Sequence, residues 1–305
     1  MLKFKCMLLS LCALLLCSCG QSNGALEREK SGQGVQSLGE EAYKLPADSI
    51  DPPRHEQYED ANEIEIGETP PLEGGPENVE RPKSPENNRA LAQLYPNIIA
   101  LNASWSTNQI AITFDDGPDR RFTPQVLDIL KKHDVKATFF LMGSRVKGHP
   151  DITKRIHNEG HVIGNHTFWH PKLHAESLER MVWEIEETDK SIKQIVGYAP
   201  SLFRAPYGGL NTIHVEKLGE MGKGVIGWSV DTEDWKQISS EEVKRNLLKD
   251  LHPGAIILMH SAGDWTQDLS GMTKALDELL PILKERGYEL VTIPELLHIP
   301  YMQPL

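Results

Sequence analysis

Residues 109–118 read QIAITFDDGP, an apolar run that ends in two adjacent carboxylates. The first part of the run is rich in β-formers and predicts a buried strand. Asp115 and Asp116 follow it directly. Because neighbouring carboxylates repel each other, a cation or a basic side chain is expected close to the pair.

Six further apolar runs predict additional strands. They lie near residues 136–142, 162–166, 201–204, 224–230, 255–260 and 289–293, with amphipathic helical segments between them. Seven strands that alternate with helices predict an α/β fold with a mostly parallel sheet, closed or nearly closed into a barrel.

Several helix ends can be located from local signals. Thr123, which precedes a proline, predicts the N-cap of a helix that runs to His133. Residues 239–242 predict a capping box. Gly160 and Gly287 are typical of helix C-termini.

Polar clusters follow five of the predicted strands. The clusters are Asp115 and Asp116, the segment from His166 to His170, residues 204–207, residues 231–235, and His260. In α/β barrels and open α/β sheets, active sites form at the carboxyl ends of the strands. The five clusters are therefore expected to meet in one active site.

A metal ion would explain the adjacent carboxylates. His166 and His170 are four residues apart, which predicts that they share one helical turn and bind a single cation. One added carboxylate makes a set of two histidines and one aspartate, as catalytic zinc prefers. Cobalt and nickel suit the same ligands.

Five motifs, in order, resemble the polysaccharide deacetylases of carbohydrate esterase family 4, which share the NodB homology domain. The motifs are TFDDGP at 113–118, HTFWH at 166–170, RAPY at 204–207, DTEDW at 231–235 and LMH at 258–260. The resemblance covers about residues 105–300. It implies an irregular (β/α)7 barrel and metal-dependent hydrolysis of acetyl groups on the amino sugars of a cell-wall or surface polysaccharide, with peptidoglycan N-acetylglucosamine expected first.

The resemblance also implies a role for each motif residue. The metal ligands are expected to be Asp116, His166 and His170. Asp115 is expected to be the general base, paired with Arg204.

The remaining motif residues are implied to act on the substrate. His260 is expected to be the general acid, oriented by Asp234, and the backbone N–H of Tyr207 is expected to stabilise the oxyanion. Leu258 would line the pocket for the acetyl methyl group, and Trp235 would form a wall of the sugar groove.

Alternative functions are open at this point. A metal-free sugar-binding or scaffold protein could retain the fold without catalysis. An O-acetyl esterase that acts on xylan would use the same water, metal and oxyanion chemistry. Chitin and poly-N-acetylglucosamine are alternative substrates for a deacetylase.

The first nineteen residues predict export. Lys3 and Lys5 precede an apolar run from Met7 to Leu16, which is short for a transmembrane helix and typical of a signal peptide. The run ends in LCSC, which resembles a bacterial lipobox whose last residue, Cys19, is lipidated. We therefore expect a lipoprotein on the outer side of the bacterial cytoplasmic membrane, with ordinary cleavage as the alternative.

Residues 20–90 predict a disordered tether, and residues 91–305 a catalytic domain. The tether contains 16 acidic and 7 basic residues and no sustained apolar pattern, so it cannot bury enough surface to offset its chain entropy. The net charge of -12 argues against a nucleic-acid partner. A monomer is expected, and a chain that begins near Ala90 is expected to fold and be active.

The lipid anchor can be tested directly. Cys19→Ala removes the thiol to which the lipobox lipid would be attached, so the protein should move from the membrane fraction to the soluble fraction. Fractionation and immunoblotting of cells that express either form would show this. A Cys19→Ala protein that stays with membranes would contradict lipid anchoring.

Overall fold

The computed structural model describes residues 64–76 and 88–304. The predicted signal peptide, Cys19 and most of the tether lie outside the described residues, so the predictions made for them stay predictions. Within the described part of the chain, no helix combines the length and apolarity needed to cross a membrane.

A parallel sheet forms the centre of the fold. Its strands are β1 (Ile99–Ala100), β2 (Gln109–Asp115), β3 (Thr138–Leu141), β4 (Val162–Asn165), β5 (Leu202–Phe203), β6 (Gly224–Ile226), β7 (Val230–Asp231), β8 (Ile256–His260) and β9 (Glu289–Leu290). Eight of them form one path in the order β1-β6-β5-β4-β3-β2-β8-β7, and β9 pairs with the start of β2. All these pairings are parallel.

The prediction of an irregular (β/α)7 barrel is confirmed. Each of the seven predicted runs contains a strand, but the run at 224–230 divides into β6 and β7, and the two-residue β1 was missed. β6 pairs with β5 near one end of the strand order, whereas β7 pairs with β8 at the other end. Only residues 227–229 separate β6 from β7 in the sequence. The curled sheet is therefore closed at this point by the chain itself rather than by strand pairing.

Helices cover the outside of the sheet. They are α1 (Asn88–Leu94), α2 (Thr123–Lys132), α3 (Gly143–Gly148), α4 (Pro150–Asn158), α5 (Leu178–Val196), α6 (Thr212–Glu220), α7 (Ser240–Asp250), α8 (Ser270–Glu285) and α9 (Ile293–Leu297). The capping box between Ser239 and Glu242 is confirmed. Gly160 and Gly287 follow the ends of α4 and α8 with φ of 82° and 83°, as predicted for helix C-termini.

The predicted N-cap of α2 is wrong. Thr123 is the first helical residue, and Phe122 occupies the N-cap position without a side-chain cap. Asp119 takes over this role because its Oδ1 accepts the backbone N–H groups of Phe122 and Thr123, at 2.8 and 3.1 Å. The Thr123 hydroxyl instead donates to the carbonyl of Ser261.

The alternation of side chains along β2 determines where its carboxylate points. Ile110, Ile112 and Phe114 pack into the cluster that joins the sheet to the outer helices. Ala111 belongs to the inner cluster. Since successive side chains of a strand face opposite sides, Asp115 faces the inside of the barrel together with Ala111.

Residues 64–76 differ from the predicted tether because they lie on the domain. The N–H of Gly67 donates to Gly148, and the N–H of Glu73 donates to Trp169, at 2.7 and 2.9 Å. Leu72 is buried. The proposed boundary at residue 91 also falls inside α1, whose first residue is Asn88. Tertiary contacts thus order a segment whose own composition is too polar to fold alone.

His161 is a structural histidine, and it makes stability depend on pH. Its Nδ1 accepts the Ala137 N–H at 3.2 Å beside the Phe139 ring. Burial, helped by Lys136, lowers its pKa to about 4. A histidine with a lowered folded pKa stabilises the fold above pH 6.5, and this stabilisation is lost as pH falls toward 4.

We therefore predict that the free energy of unfolding of the natural protein falls between pH 6.5 and 4 more than that of His161→Asn. The asparagine oxygen can accept the same N–H but does not titrate. The difference should grow by at most about 1.4 kcal/mol per pH unit, measured by urea unfolding. The two proteins share all other titratable groups, so parallel pH profiles would contradict the prediction.

Candidate active site

Neighbouring strand ends bring all five polar clusters together, since Asp231 at the end of β7 is also in register with Leu258 of β8. Asp115 at the end of β2 is in register with His260 at the end of β8. Asn165 at the end of β4 is in register with Phe203 of β5, so the residues that follow them, His166 and Arg204, are also neighbours. This arrangement follows directly from parallel pairing, which aligns the carboxyl ends of strands.

Asp116, His166 and His170 form a buried group that could hold a metal ion. Oδ1 of Asp116 lies 3.3 Å from Nε2 of His166 and 3.2 Å from Nε2 of His170. Within the described part of the chain, none of these three atoms has a hydrogen-bond partner. Three buried polar atoms without partners are costly unless something else binds them. One cation with two nitrogen ligands and one oxygen ligand fits the group.

His166 and His170 lie on a loop, so the prediction of a shared helical turn is wrong. Thr167 and His170 have φ of 66° and 64°, and Asp116 has φ of 68°. Such conformations are unfavourable for these residues and persist where the surroundings hold them. Here Glu184 of α5 accepts the N–H groups of Phe168 and Trp169, at 2.6 and 2.8 Å.

The electrostatics of the group favour positive charge. Burial alone would raise the pKa of Asp116, but the facing rings of His170 and His166 hold it well below its usual value. Burial opposes protonation of His166, yet Asp115 and Asp116 raise its pKa. A bound cation would supply the positive charge that these carboxylates attract.

The His166 ring is held in the form that a metal requires. Its Nδ1 lies 2.8 Å from the carbonyl oxygen of Arg204. Because a carbonyl only accepts hydrogen bonds, Nδ1 carries a proton, and in the neutral ring Nε2 keeps its lone pair. The lone pair is directed at the Asp116 side of the site.

Asp115 is paired with a fully buried guanidinium group. Nη1 of Arg204 donates to Oδ1 of Asp115 at 2.8 Å and to the Thr113 hydroxyl at 2.7 Å. The other Arg204 nitrogens donate to the carbonyls of Ile226 and Gly227. The pairing of Asp115 with Arg204 leaves Asp116 as the carboxylate that faces the histidines.

His260 is oriented by Asp234. Its Nδ1 lies 2.7 Å from Oδ1 of Asp234, and its backbone N–H donates to Oδ2 of the same carboxylate at 2.8 Å. The carboxylate accepts the Nδ1 proton, so the two contacts fix both the ring and the strand end that carries it. Asp231 accepts the N–H of Glu233 and so braces the loop.

The remaining predicted residues lie around this centre. Leu258 precedes His260 by two residues on β8, so it shares the inward face, and it is buried. Trp235 follows Asp234 and is buried. Tyr207 has φ of 57°, and its ring lies against His170 with centroids 4.7 Å apart.

The sequence reasoning missed two buried charged residues near the site. Glu184 lies within an ordinary amphipathic helix, so no local signal marked it. Arg145 donates to the carbonyls of Asp116, Gly263 and Pro70. It follows β3, whose carboxyl end had no assigned cluster, and the rule that placed the other clusters could have found it.

Comparison with known proteins identifies the family. Residues 103–226 match the family model described as polysaccharide deacetylase. A peptidoglycan-N-acetylglucosamine deacetylase of Bacillus cereus is 42% identical over 197 residues, which are 65% of this chain and 71% of the relative. The chain belongs to the polysaccharide deacetylase family. The family resemblance inferred from the five motifs is thereby confirmed.

Further relatives of this polysaccharide deacetylase differ in length. The peptidoglycan-N-acetylglucosamine deacetylase PgdA of Listeria monocytogenes is 44% identical over 192 residues, which are 63% of this chain but only 39% of that protein. A crystal structure of a peptidoglycan N-acetylglucosamine deacetylase has a TM-score of 0.67 and 39% identity, and the match covers 70% of this chain and 99% of that one. A CE4 family pseudoenzyme from Bacillus anthracis has a TM-score of 0.60 and 32% identity, covering 65% of this chain and 68% of its own.

The site geometry predicts different effects for three substitutions. Asp116→Asn removes a proposed ligand and should lower the bound metal measured by elemental analysis. Asp115→Asn and His260→Ala leave the ligand set intact and should keep stoichiometric metal. Turnover of each should nevertheless fall by about 10²- to 10⁴-fold, the usual contribution of a positioned base or acid.

Metal content and turnover need to be measured on the same purified samples. An Asp115→Asn protein that loses metal while Asp116→Asn keeps it would reverse the two roles. If His260 protonates the leaving group, His260→Ala should lose more activity on amides than on activated aryl esters, whose leaving groups need no proton. Equal losses on both would remove that role.

Proposed function

We propose that this protein removes acetyl groups from N-acetylglucosamine in peptidoglycan by metal-dependent hydrolysis. The observation that carries the proposal is the buried group of Asp116, His166 and His170, whose unpartnered ligand atoms lie beside the Arg204-paired carboxylate of Asp115. Asp115 and His260 occupy aligned ends of adjacent strands, so a base and an acid can face the same reacting carbon.

The substrate assignment rests on the relatives. The Bacillus cereus and Listeria monocytogenes proteins are named as peptidoglycan-N-acetylglucosamine deacetylases. Relatives at 39% and 35% identity are named for N-acetylmuramic acid and for chitooligosaccharides. The higher identities and the matching structure favour peptidoglycan N-acetylglucosamine, and with it an extracellular or cell-envelope location.

A divalent cation held by Asp116, His166 and His170 would polarise the acetamide carbonyl and lower the pKa of a water molecule. Zinc is the first choice for this ligand set, with cobalt or nickel as alternatives. The turn after β2 directs Asp116 toward the two histidines and away from Asp115. Asp116 is therefore proposed to bind the cation, while its neighbour Asp115 stays available as the base.

Asp115 is proposed to accept a proton from the attacking water. Arg204 holds the carboxylate through Oδ1, which leaves Oδ2 facing the His166 side of the site. As carbon becomes tetrahedral, negative charge develops on the former carbonyl oxygen. The backbone N–H of Tyr207 is proposed to donate to this oxyanion, as a preorganised donor in a site with little water.

His260 is proposed to complete the reaction by protonating the departing amine. Asp234 fixes the tautomer with the proton on Nδ1, so Nε2 takes up a proton from solvent and delivers it to the nitrogen when the C–N bond breaks. The carboxylate also stabilises the imidazolium that exists between these events. Leu258 and Trp235 are proposed to bound the acetyl pocket and the sugar groove.

Acetate release tests the proposal. The purified protein should release acetate from peptidoglycan, lose this activity after treatment with a chelator, and recover it when Zn²⁺ or Co²⁺ is added. Chitin oligosaccharides, poly-N-acetylglucosamine and acetylated xylan serve as comparison substrates. Full activity without metal would refute the mechanism, and a marked preference for xylan would favour the O-acetyl esterase.

A further inference from the structure

Residues 69–75, here named the strap, pass along the candidate metal centre although they precede the catalytic motifs by about forty residues in the sequence. The strap is fixed at its start by Thr69, whose hydroxyl lies 2.7 Å from Nε2 of His149. Arg145 donates to the carbonyl of Pro70 at 3.0 Å, and the Leu72 side chain is buried. These anchors place the following residues against the ligand loop.

The strap is hydrogen-bonded to the loop that carries the two histidines. The N–H of Glu73 donates to the carbonyl of Trp169 at 2.9 Å, and the N–H of Gly74 donates to the carbonyl of His170 at 3.0 Å. The next residue, Gly75, accepts a hydrogen bond from the Tyr207 hydroxyl at 2.6 Å. Three successive strap residues therefore contact a metal-ligand loop and a motif tyrosine.

The Tyr207 hydroxyl connects the strap to a metal ligand. It lies 3.1 Å from Nδ1 of His170 as well as 2.6 Å from the carbonyl oxygen of Gly75. The carbonyl can only accept, so the hydroxyl proton points toward Gly75. The hydroxyl oxygen is then left to accept a proton from Nδ1 of His170.

This direction of hydrogen bonding determines the His170 tautomer. With the proton on Nδ1, Nε2 has its lone pair free toward Asp116, which is the form that ligates a cation. His166 is held in the same form by a carbonyl of the barrel itself. His170 depends instead on a carbonyl of the strap, because without it the Tyr207 hydroxyl could donate to Nδ1 and leave the proton on Nε2.

A second contact ties the strap to the same loop through side chains. Nη2 of Arg180 lies 2.8 Å from Oε2 of Glu73 in the strap and 2.5 Å from Oε1 of Glu184. Glu184 in turn accepts the backbone N–H groups of Phe168 and Trp169. The guanidinium thus bridges the strap and the carboxylate that holds the ligand loop in shape.

Gly74 allows the strap to lie this close. A Cβ atom at this position would lie 2.4 Å from the Tyr207 hydroxyl oxygen and 2.8 Å from the nearest ring carbon. Both distances are shorter than any ordinary contact with a side-chain carbon, so even alanine would push the strap and the tyrosine apart.

We infer that the strap is a positioning element of the metal centre: through the Gly75 carbonyl and the Tyr207 hydroxyl, it holds His170 in its metal-binding tautomer. Tyr207 therefore has a role for its side chain in addition to the backbone role proposed above. The inference rests on the proposed metal site. Its consequence is that the domain predicted to begin at residue 91 lacks part of its own metal centre.

The test uses Zn²⁺ affinity of the full chain, measured by competition with a chromophoric chelator in the absence of substrate. Gly74→Ala should displace the strap, and Tyr207→Phe should remove the hydroxyl but keep the ring. Each should weaken Zn²⁺ binding by about 10- to 100-fold, as expected when a group that orients a ligand is lost. The absorption spectrum of bound Co²⁺ should change in both.

The double variant separates this role from general destabilisation. If the strap acts through the hydroxyl, Gly74→Ala should cost little further affinity in a Tyr207→Phe chain. Ile66→Ala is the matched control, since this residue lies just before the strap, within residues 64–76, and is 77% exposed. It should bind Zn²⁺ as the natural protein does, and thermal unfolding of the metal-free proteins would confirm that the variants are folded.

The inference would be overturned if Gly74→Ala bound Zn²⁺ as tightly as the natural protein. It would also be overturned if the loss of Zn²⁺ affinity in the double variant equalled the product of the two single losses. Should Gly74→Ala fail to fold, Tyr207→Phe decides alone, and natural Zn²⁺ affinity in that variant would overturn it. A natural protein that binds neither Zn²⁺ nor Co²⁺ would instead refute the proposed function. The two failures are therefore distinguishable.

Discussion

Two adjacent buried carboxylates are the constraint around which the rest of the site is arranged. Asp115 and Asp116 would repel each other strongly in an interior with little water. The turn after β2 sends their side chains to different partners. Arg204 pairs with Asp115 at 2.8 Å, and two histidine rings face Asp116. The proposed cation completes this separation, because the charge of the histidines alone would depend on pH.

Orientation of the ligands is as important as their identity. A histidine binds a metal only with a nitrogen that carries no proton, so the partner of the opposite nitrogen decides whether the ring is competent. Arg204 contributes its carbonyl to His166 and its guanidinium to Asp115, so one residue serves both sides of the site. For His170, the equivalent partner is reached through Tyr207 and lies outside the barrel sequence. The proposed metal centre thus combines residues of the barrel with the segment before it.

The family model covers only part of the proposed site. It matches residues 103–226. The model match ends before Asp234 and His260, which the barrel nevertheless brings to the end of β2 by strand pairing. The strap lies before the start of the family model. The strap proposed to position His170 is therefore not part of what the family model describes.

Local sequence determined the strands, several helix ends and the motif residues, because these depend on side-chain periodicity and capping over a few neighbours. The five motifs predicted the family, and parallel pairing made their meeting at the strand ends foreseeable. Only the tertiary structure decided that His166 and His170 lie on a loop, that Asp119 replaces Thr123 as a cap, and that residues 64–76 are ordered. The loop and the ordered segment depend on partners distant in the chain, such as Glu184, Arg145 and Tyr207. The Asp119 cap is local, but the hydroxyl of Thr123 is engaged by the distant carbonyl of Ser261. A segment too polar to fold by itself gains its structure from hydrogen bonds that only the folded barrel can offer.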